Sequence, residues 1–160
     1  MRRSRREFLG AGMALAAVAC PFARQRPDPA DLAWHVHLYT NQQRAWRGLE
    51  PVEWSEALAE LARAHSADML ARRFFDHRNP DGLGPVERAA RRGVHLEVSE
   101  NLYRIRGGPD DASQLASMVV EGWMKTRGHR RNILAPHFVY AGVGALGDRR
   151  GLLVTQVLGA

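Results

Sequence analysis

Apolar positions along the chain fall into three helical stripes before any strand pattern begins. Leu32, Val36, Tyr39 and Trp46 recur at helical spacing after Asp28 and Pro29, an N-cap residue followed by a proline suited to the first helical position. A second stripe, Leu58, Leu61, His65 and Met69, predicts a helix from about Ser55 to Arg72. The third, Leu115, Met118, Val119, Gly122 and Trp123, follows Asp110 and Asp111, either of which caps it, and Gly128 is the expected end of its trailing turn. Between the second and third stripes a short helix is expected at about Pro85–Arg92, stopped by Gly93.

Period-two patterning takes over in "LEVSENLYRI", and again in "FVYAGVGAL" and "GLLVTQVLG", which "GDRR" joins with the composition of a hairpin turn. Helices before, between and beside these strands predict an α+β fold, a three-layer α-β-α sandwich around a small central antiparallel sheet.

Composition bounds the picture to one domain: 160 residues, 45% hydrophobic and 25% charged. The first 19 residues differ in kind, with arginines at 2, 3, 5 and 6 and then an apolar run from Phe8 to Ala19. That run is shorter than the roughly 20 residues of a membrane-spanning helix and reads as a signal peptide, of twin-arginine type from "SRREFLG". No transmembrane helix is expected in the mature chain. The run ends in "AVAC", which suits ordinary signal cleavage and also lipidation of Cys20, the single cysteine. Residues 20–30 read as a proline-punctuated linker and 31–160 as the folded domain. Both cleavage routes imply export, to the periplasm, cell envelope or exterior.

Removing residues 1–19 takes away four arginines and Glu7, so the formal charge of +6 falls to +3. The remaining arginines are scattered through helical segments rather than concentrated on one face with interleaved aromatics, which argues against nucleic acid as a partner.

Glu100 carries the first chemical signal. In a strand, Val98, Glu100 and Leu102 share a face, so the carboxylate is set among apolar neighbours and needs hydrogen bonds, a cation or a metal. His77 stands in "DHRNPDG", a turn-forming set directly after Phe74 and Phe75. His129, in "TRGHRRNIL", follows the expected helix stop and is placed to turn back toward the core. His65, on the inner stripe of the second helix, reads as a packed core histidine, while His35, His37, His95 and His137 read as surface residues.

The ordered segments "YTNQQRAWRGLEPVEW", "ALAELARAHSADML", "FFDHRNPDG", "SENL", "GWMKTRGHRRNIL", "AGVGA" and "TQVLG" resemble the CAP superfamily, in its bacterial SCP-like branch, over about residues 31–159. The resemblance implies an α-β-α sandwich with one cavity lined by His77, Glu100 and His129. Asn101, beside Glu100 in the same motif, and His65 are secondary candidates. Two departures stand out. Ser99 replaces the glycine of the family's Gly-Glu-Asn motif, and Thr126 occupies the position of a second acidic residue, leaving a triad. His77 and His129, with Glu100, suit weak Zn2+ binding, although no cofactor is required. Glu100 is also the candidate general base of a zinc-assisted hydrolase, a peptidase, esterase or wall hydrolase. No nucleophile motif accompanies it, and the resemblance implies binding of a lipid, peptide or cell-envelope ligand as the function expected first.

Overall fold

The computed structural model describes residues 27–160; the expected signal peptide, Cys20 and most of the expected linker lie outside them. Five helices and four strands follow in the order α1 (Pro29–Ala45), β1 (Glu53–Trp54), α2 (Glu56–Arg72), α3 (Pro85–Ala90), β2 (Val98–Ile105), α4 (Ala112–Lys125), α5 (Arg127–Ile133), β3 (Tyr140–Asp148) and β4 (Gly151–Gly159). Among the described residues, no helix is long and apolar enough to cross a membrane.

Helix starts are set by short polar side chains that accept orphan backbone N–H groups. Asp28 accepts from Ala30 at 2.8 Å, with Pro29 opening α1, and Asp111 accepts from Gln114 at 2.8 Å at the start of α4. Ser55, at about which the second helix is expected to start, caps α2. Gly93 takes a φ of +72° just beyond α3, the conformation its place after a short helix calls for.

The break after α4 differs from expectation. Gly128 does not end a turn but lies inside α5; the interruption falls at Thr126, whose φ of −99° and ψ of 121° serve both as C-cap of α4 and N-cap of α5. A β-branched residue is at home in this extended conformation, and the carbonyl of Thr126 then accepts from Arg130 at 2.9 Å to start the next helix. Trp46 also departs from its stripe: α1 ends at Ala45, and Trp46 is exposed.

The sheet order is β1-β3-β4-β2. The three long strands are antiparallel, and the two-residue β1 adds a parallel edge to β3, making the sheet mixed. Alternation along β4 divides the core. Leu152 and Val154 face α1 and α4, packing with Leu32, Val36, Leu115, Val119 and Trp123. Val157 faces α2 and α3, with Leu58, Leu61, Ala62, Ala89 and Val98. Helices therefore cover both sides of the sheet, and the protein is an α-β-α sandwich.

Two glycines set how closely α2 lies on the sheet. A Cβ on Gly142 would stand 2.0 Å from the backbone nitrogen of Ala59, and one on Gly144 2.2 Å from that of Arg63. Helix backbone and strand backbone are thus in direct contact, which brings His65 down to the level of Glu100.

Candidate functional site

The segment between α2 and α3 holds itself in shape. Arg73 ends α2 in the left-handed region, and Phe74 packs on Met69, Leu102 and Leu153. Asp76 accepts from the backbone of Arg78 at 2.8 Å, while Asn79 accepts from Asp81 at 3.1 Å and Leu83 at 2.9 Å. These side chains replace the ladder the loop lacks, so the turn-forming residues around His77 fix its position.

Nδ1 of His77 donates to Oε1 of Glu100 at 2.8 Å. The imidazole is about half exposed, whereas the Glu100 side chain is only 1% exposed. That hydrogen bond raises the pKa of His77 above its ordinary value, outweighing the opposing effect of burial. Engaged through Nδ1, the ring has its Nε2 edge left to meet a ligand.

The second carboxylate oxygen goes to a residue that the sequence pattern does not single out. Arg88, on α3, donates to Oε2 of Glu100 at 2.5 Å, and also to the carbonyls of His77 at 2.6 Å and Leu83 at 2.9 Å. One guanidinium thus neutralises the buried carboxylate and clamps the His77 loop above it. Alternation in β2 predicts that Glu100 needs a cation. Arg88 sits one turn before Gly93 in a six-residue helix too short to show an inner stripe, so nothing local marks it as that cation.

His65 is buried, and its Nε2 donates to the carbonyl of Asp76 at 3.0 Å while lying 3.8 Å from Oε1 of Glu100. Its Nδ1 is buried and has no hydrogen-bond partner among the described residues, an arrangement suited to the neutral ring. Desolvation lowers its pKa and prevails over the attraction of Glu100. His65 is therefore a packed histidine and also a flank of the site.

His129 belongs to α5, on the other side of the β2 edge. Asn101 donates to its backbone carbonyl at 3.4 Å, and Asn132 donates to the Glu100 carbonyl at 3.3 Å and to Oδ1 of Asn101 at 2.9 Å. Burial lowers the pKa of His129, and positive charge on His77 lowers it further. The two rings are thus electrostatically coupled. Asn101 is fully buried and continues inward to Gln156 at 3.0 Å, which donates to Thr40 at 2.8 Å. This chain of amides anchors α5 to the strand that carries Glu100. The side chain of Thr126 donates from its hydroxyl to the carbonyl of Gly122, at 3.4 Å.

His37 corrects the sequence reading of a surface residue. It is 5% exposed, stacked at 5.4 Å on Trp34 and edge-on at 5.4 Å to Trp54. Its position after Val36 on α1 turns it toward β1, away from the site.

Among the described residues, no group of three or more His, Cys, Asp or Glu side chains is arranged to hold a metal ion. Glu100 explains why: one oxygen serves His77, the other serves Arg88, and a cation already occupies the place a metal would take. The residues do not fit a zinc centre with Glu100 as a direct ligand. The two imidazoles His77 and His129 remain as nitrogen donors.

The Cysteine-rich secretory protein family model matches residues 38–158. The chain is 36% identical to the uncharacterized protein YkwD of Bacillus subtilis over 106 residues, covering 66% of this chain and 38% of that one. It is 32% identical to the uncharacterized membrane protein YlbC of the same organism, covering 69% of this chain and 30% of that protein. It therefore spans well under half the length of these curated relatives. Among solved structures, an extracellular protein containing a SCP domain from Bacillus anthracis superposes with a TM-score of 0.69 at 26% identity, covering 82% of this chain and 41% of the other. An outer surface protein from Borrelia burgdorferi shares the fold, with a TM-score of 0.72 at 16% identity over 82% of this chain and 94% of its own. With the sandwich, the ordered motifs and the family match in agreement, the chain belongs to the cysteine-rich secretory protein, or CAP, family.

Proposed function

We propose that this is an exported binding protein that captures a lipid, peptide or cell-envelope ligand, with His77, Glu100 and His129 forming the wall of its cavity. The observation that carries the reading is the double engagement of Glu100, by His77 at 2.8 Å and Arg88 at 2.5 Å. A general base needs a free lone pair aimed at the proton it removes. Here each oxygen of the buried carboxylate already accepts from a neighbouring side chain, and the paired charge holds a loop in place. Among the described residues, no hydroxyl or thiol is hydrogen-bonded to His65, His77 or His129, so the nucleophile of a covalent mechanism has no partner base. Similarity to an extracellular protein and to an outer surface protein supports export, as do the arginines and apolar run of residues 1–19.

Chemically, the site offers an imidazole pair whose two members differ in charge. His77 is biased toward the cation by its carboxylate, and His129 toward the neutral ring by burial and by His77. Such a pair can donate one hydrogen bond and accept another from the same ligand. Its exposed nitrogens also suit a divalent metal bound weakly by His77 and His129, with Glu100 behind His77 orienting its ring. One solved structure sharing the fold is that of NaASP2 with Zn2+, at 11% identity and a TM-score of 0.61.

The test is mass spectrometry of the native protein taken from its own envelope, followed by calorimetry with zinc. Co-purification of one ligand class, lost in His77→Ala, supports the proposal. A protein that arrives empty and turns over an ester, peptide or wall substrate would overturn it. For the metal, His77→Ala and His129→Ala should each abolish the weak zinc isotherm, and unchanged isotherms would remove those residues from the metal seat.

A further inference from the structure

A cavity of about 170 Å³ lies on the sheet face that carries Glu100, at its far end, lined at its base by Met69, Phe74, Leu152 and Leu153. Arg73, Arg104, Arg106 and Arg150 surround it, against one acid, Asp148. Asp148 pairs with Arg150 at 2.8 Å. Arg73, Arg104 and Arg106 form no ion pair among the described residues, and Arg104 rests over the ring of Phe75 at 4.3 Å. Three guanidinium groups on an apolar hollow are a collector for one kind of ligand.

Backbone conformation adds an independent observation. Arg73 is the non-glycine residue with positive φ among the described residues, at +61°. Glycine is the usual occupant of that helix-ending position, because it has no Cβ to be crowded by the backbone there. At this position the chain keeps a strained arginine whose side chain lines the cavity.

We propose that this cavity binds a carboxylate carried on a single apolar group, such as the C-terminal residue of a peptide or a free aryl acid. Size suits a single ring: an enclosed cavity of roughly 150 Å³ accepts benzene, and this hollow, at about 170 Å³, is of that order. Charge selects the acid, since a planar guanidinium binds a carboxylate through two parallel N–H donors. The site shares no polar residue with the His77 cluster: Arg104 follows Glu100 by four strand positions, about 13 Å, and the Phe74 ring stands between the cavity and His65. It does not depend on the function proposed above.

Titration of the full-length protein, followed by the NMR signal of the Met69 methyl, tests the site. The probes are 3-phenylpropanoate, N-acetylphenylalanine, the neutral 3-phenylpropanamide and dodecanoate. The two aryl acids should bind at least tenfold more tightly than the amide; the better of the two tells a free acid from a peptide terminus, and either order supports the site. Arg104→Ala with Arg106→Ala should weaken the acids at least tenfold, while Arg127→Ala, a distant charge control, leaves them unchanged. Arg73→Gly should weaken binding about threefold and raise the unfolding midpoint, a combination that loss of structure cannot produce. Equal affinity for acid and amide, unchanged binding in the double variant, or tenfold tighter binding of dodecanoate would overturn the proposal.

Discussion

Oε2 of Glu100 and the guanidinium of Arg88 are 2.5 Å apart, with the carboxylate side chain 1% and the arginine side chain 10% exposed. Charges removed from water to this degree repay desolvation only while both are present. Arg88→Met should therefore destabilise the fold by about 3–5 kcal/mol, because it strands a buried carboxylate and releases the His77 loop. Arg88→Met combined with Glu100→Gln should cost less than Arg88→Met alone. Urea unfolding of the four proteins in the cycle checks this. A loss below about 1 kcal/mol for Arg88→Met would mean that the pair is solvated.

Arg44 predicts a different failure. It is 1% exposed and has no acidic partner in its hydrogen bonds, which go to the carbonyls of Glu50 at 2.8 Å, Ile133 at 2.9 Å, Ala135 at 2.8 Å and Phe138 at 3.2 Å. The guanidinium thereby ties α1 to the segment that follows α5, and so steadies the helix bearing His129. Arg44→Lys keeps the charge but loses the planar fork, and should cost about 2–3 kcal/mol through carbonyls left unpaired. Thermal unfolding at neutral pH measures it. A midpoint unchanged by Arg44→Lys would show that charge alone suffices.

Much of the sandwich is written in local pattern, and the site only in part. Asp28, Ser55 and Asp111 announce three helix starts, and the alternation Val98, Glu100, Leu102 places a carboxylate inside. What periodicity cannot carry is partnership across the fold. Arg88 and Arg44 look like the solvent-facing arginines around them, yet each is defined by carbonyls and carboxylates far away in sequence. His37 is hidden for the same reason: Trp54, which covers it, arrives through the two-residue strand β1. Gly128 misleads because glycine marks helix ends by default, whereas Thr126 makes the break by taking an extended conformation.

Gly144→Ala should be among the most damaging small substitutions. Its Cβ would stand 2.2 Å from the nitrogen of Arg63, and neither helix nor strand backbone can yield without shifting α2. The expected cost exceeds the roughly 1–3 kcal/mol of ordinary overpacking. Loss of soluble folded protein, or a fall of that size in a chemical denaturation curve, is the predicted outcome. Near-native stability would show that α2 slides freely on the sheet.

Stability should depend on pH through histidines that act in opposite directions. His65 and His129 have pKa values below the usual 6.5, so the unfolded chain binds more protons and stability falls as pH drops from that value through their folded pKa values. His77 has a raised pKa: its contribution is complete below 6.5 and disappears as pH rises through its folded value. His65→Gln should therefore flatten the acid side of the stability profile, and His77→Gln the neutral side. Urea midpoints between about pH 5 and 8 separate the two. The same flattening from both variants would mean that the rings titrate as one unit.

Glu100→Gln distinguishes binding from catalysis. The amide preserves shape and can still accept from one partner, but it carries no charge for Arg88 and takes no proton in a reaction. A binding protein should then lose stability, and zinc affinity should fall about tenfold because His77 is less firmly oriented, while a ligand held by the cavity wall is still captured. An enzyme with Glu100 as base should instead keep its ligand and lose turnover by about 10²-fold or more. The engagement of both carboxylate oxygens leads us to expect the first outcome. Assays against ester, peptide and wall substrates, with and without zinc, read the second. A zinc-dependent activity that Glu100→Gln abolishes, in a variant that still folds, would make the site catalytic and give Arg88 the task of releasing the carboxylate when substrate binds.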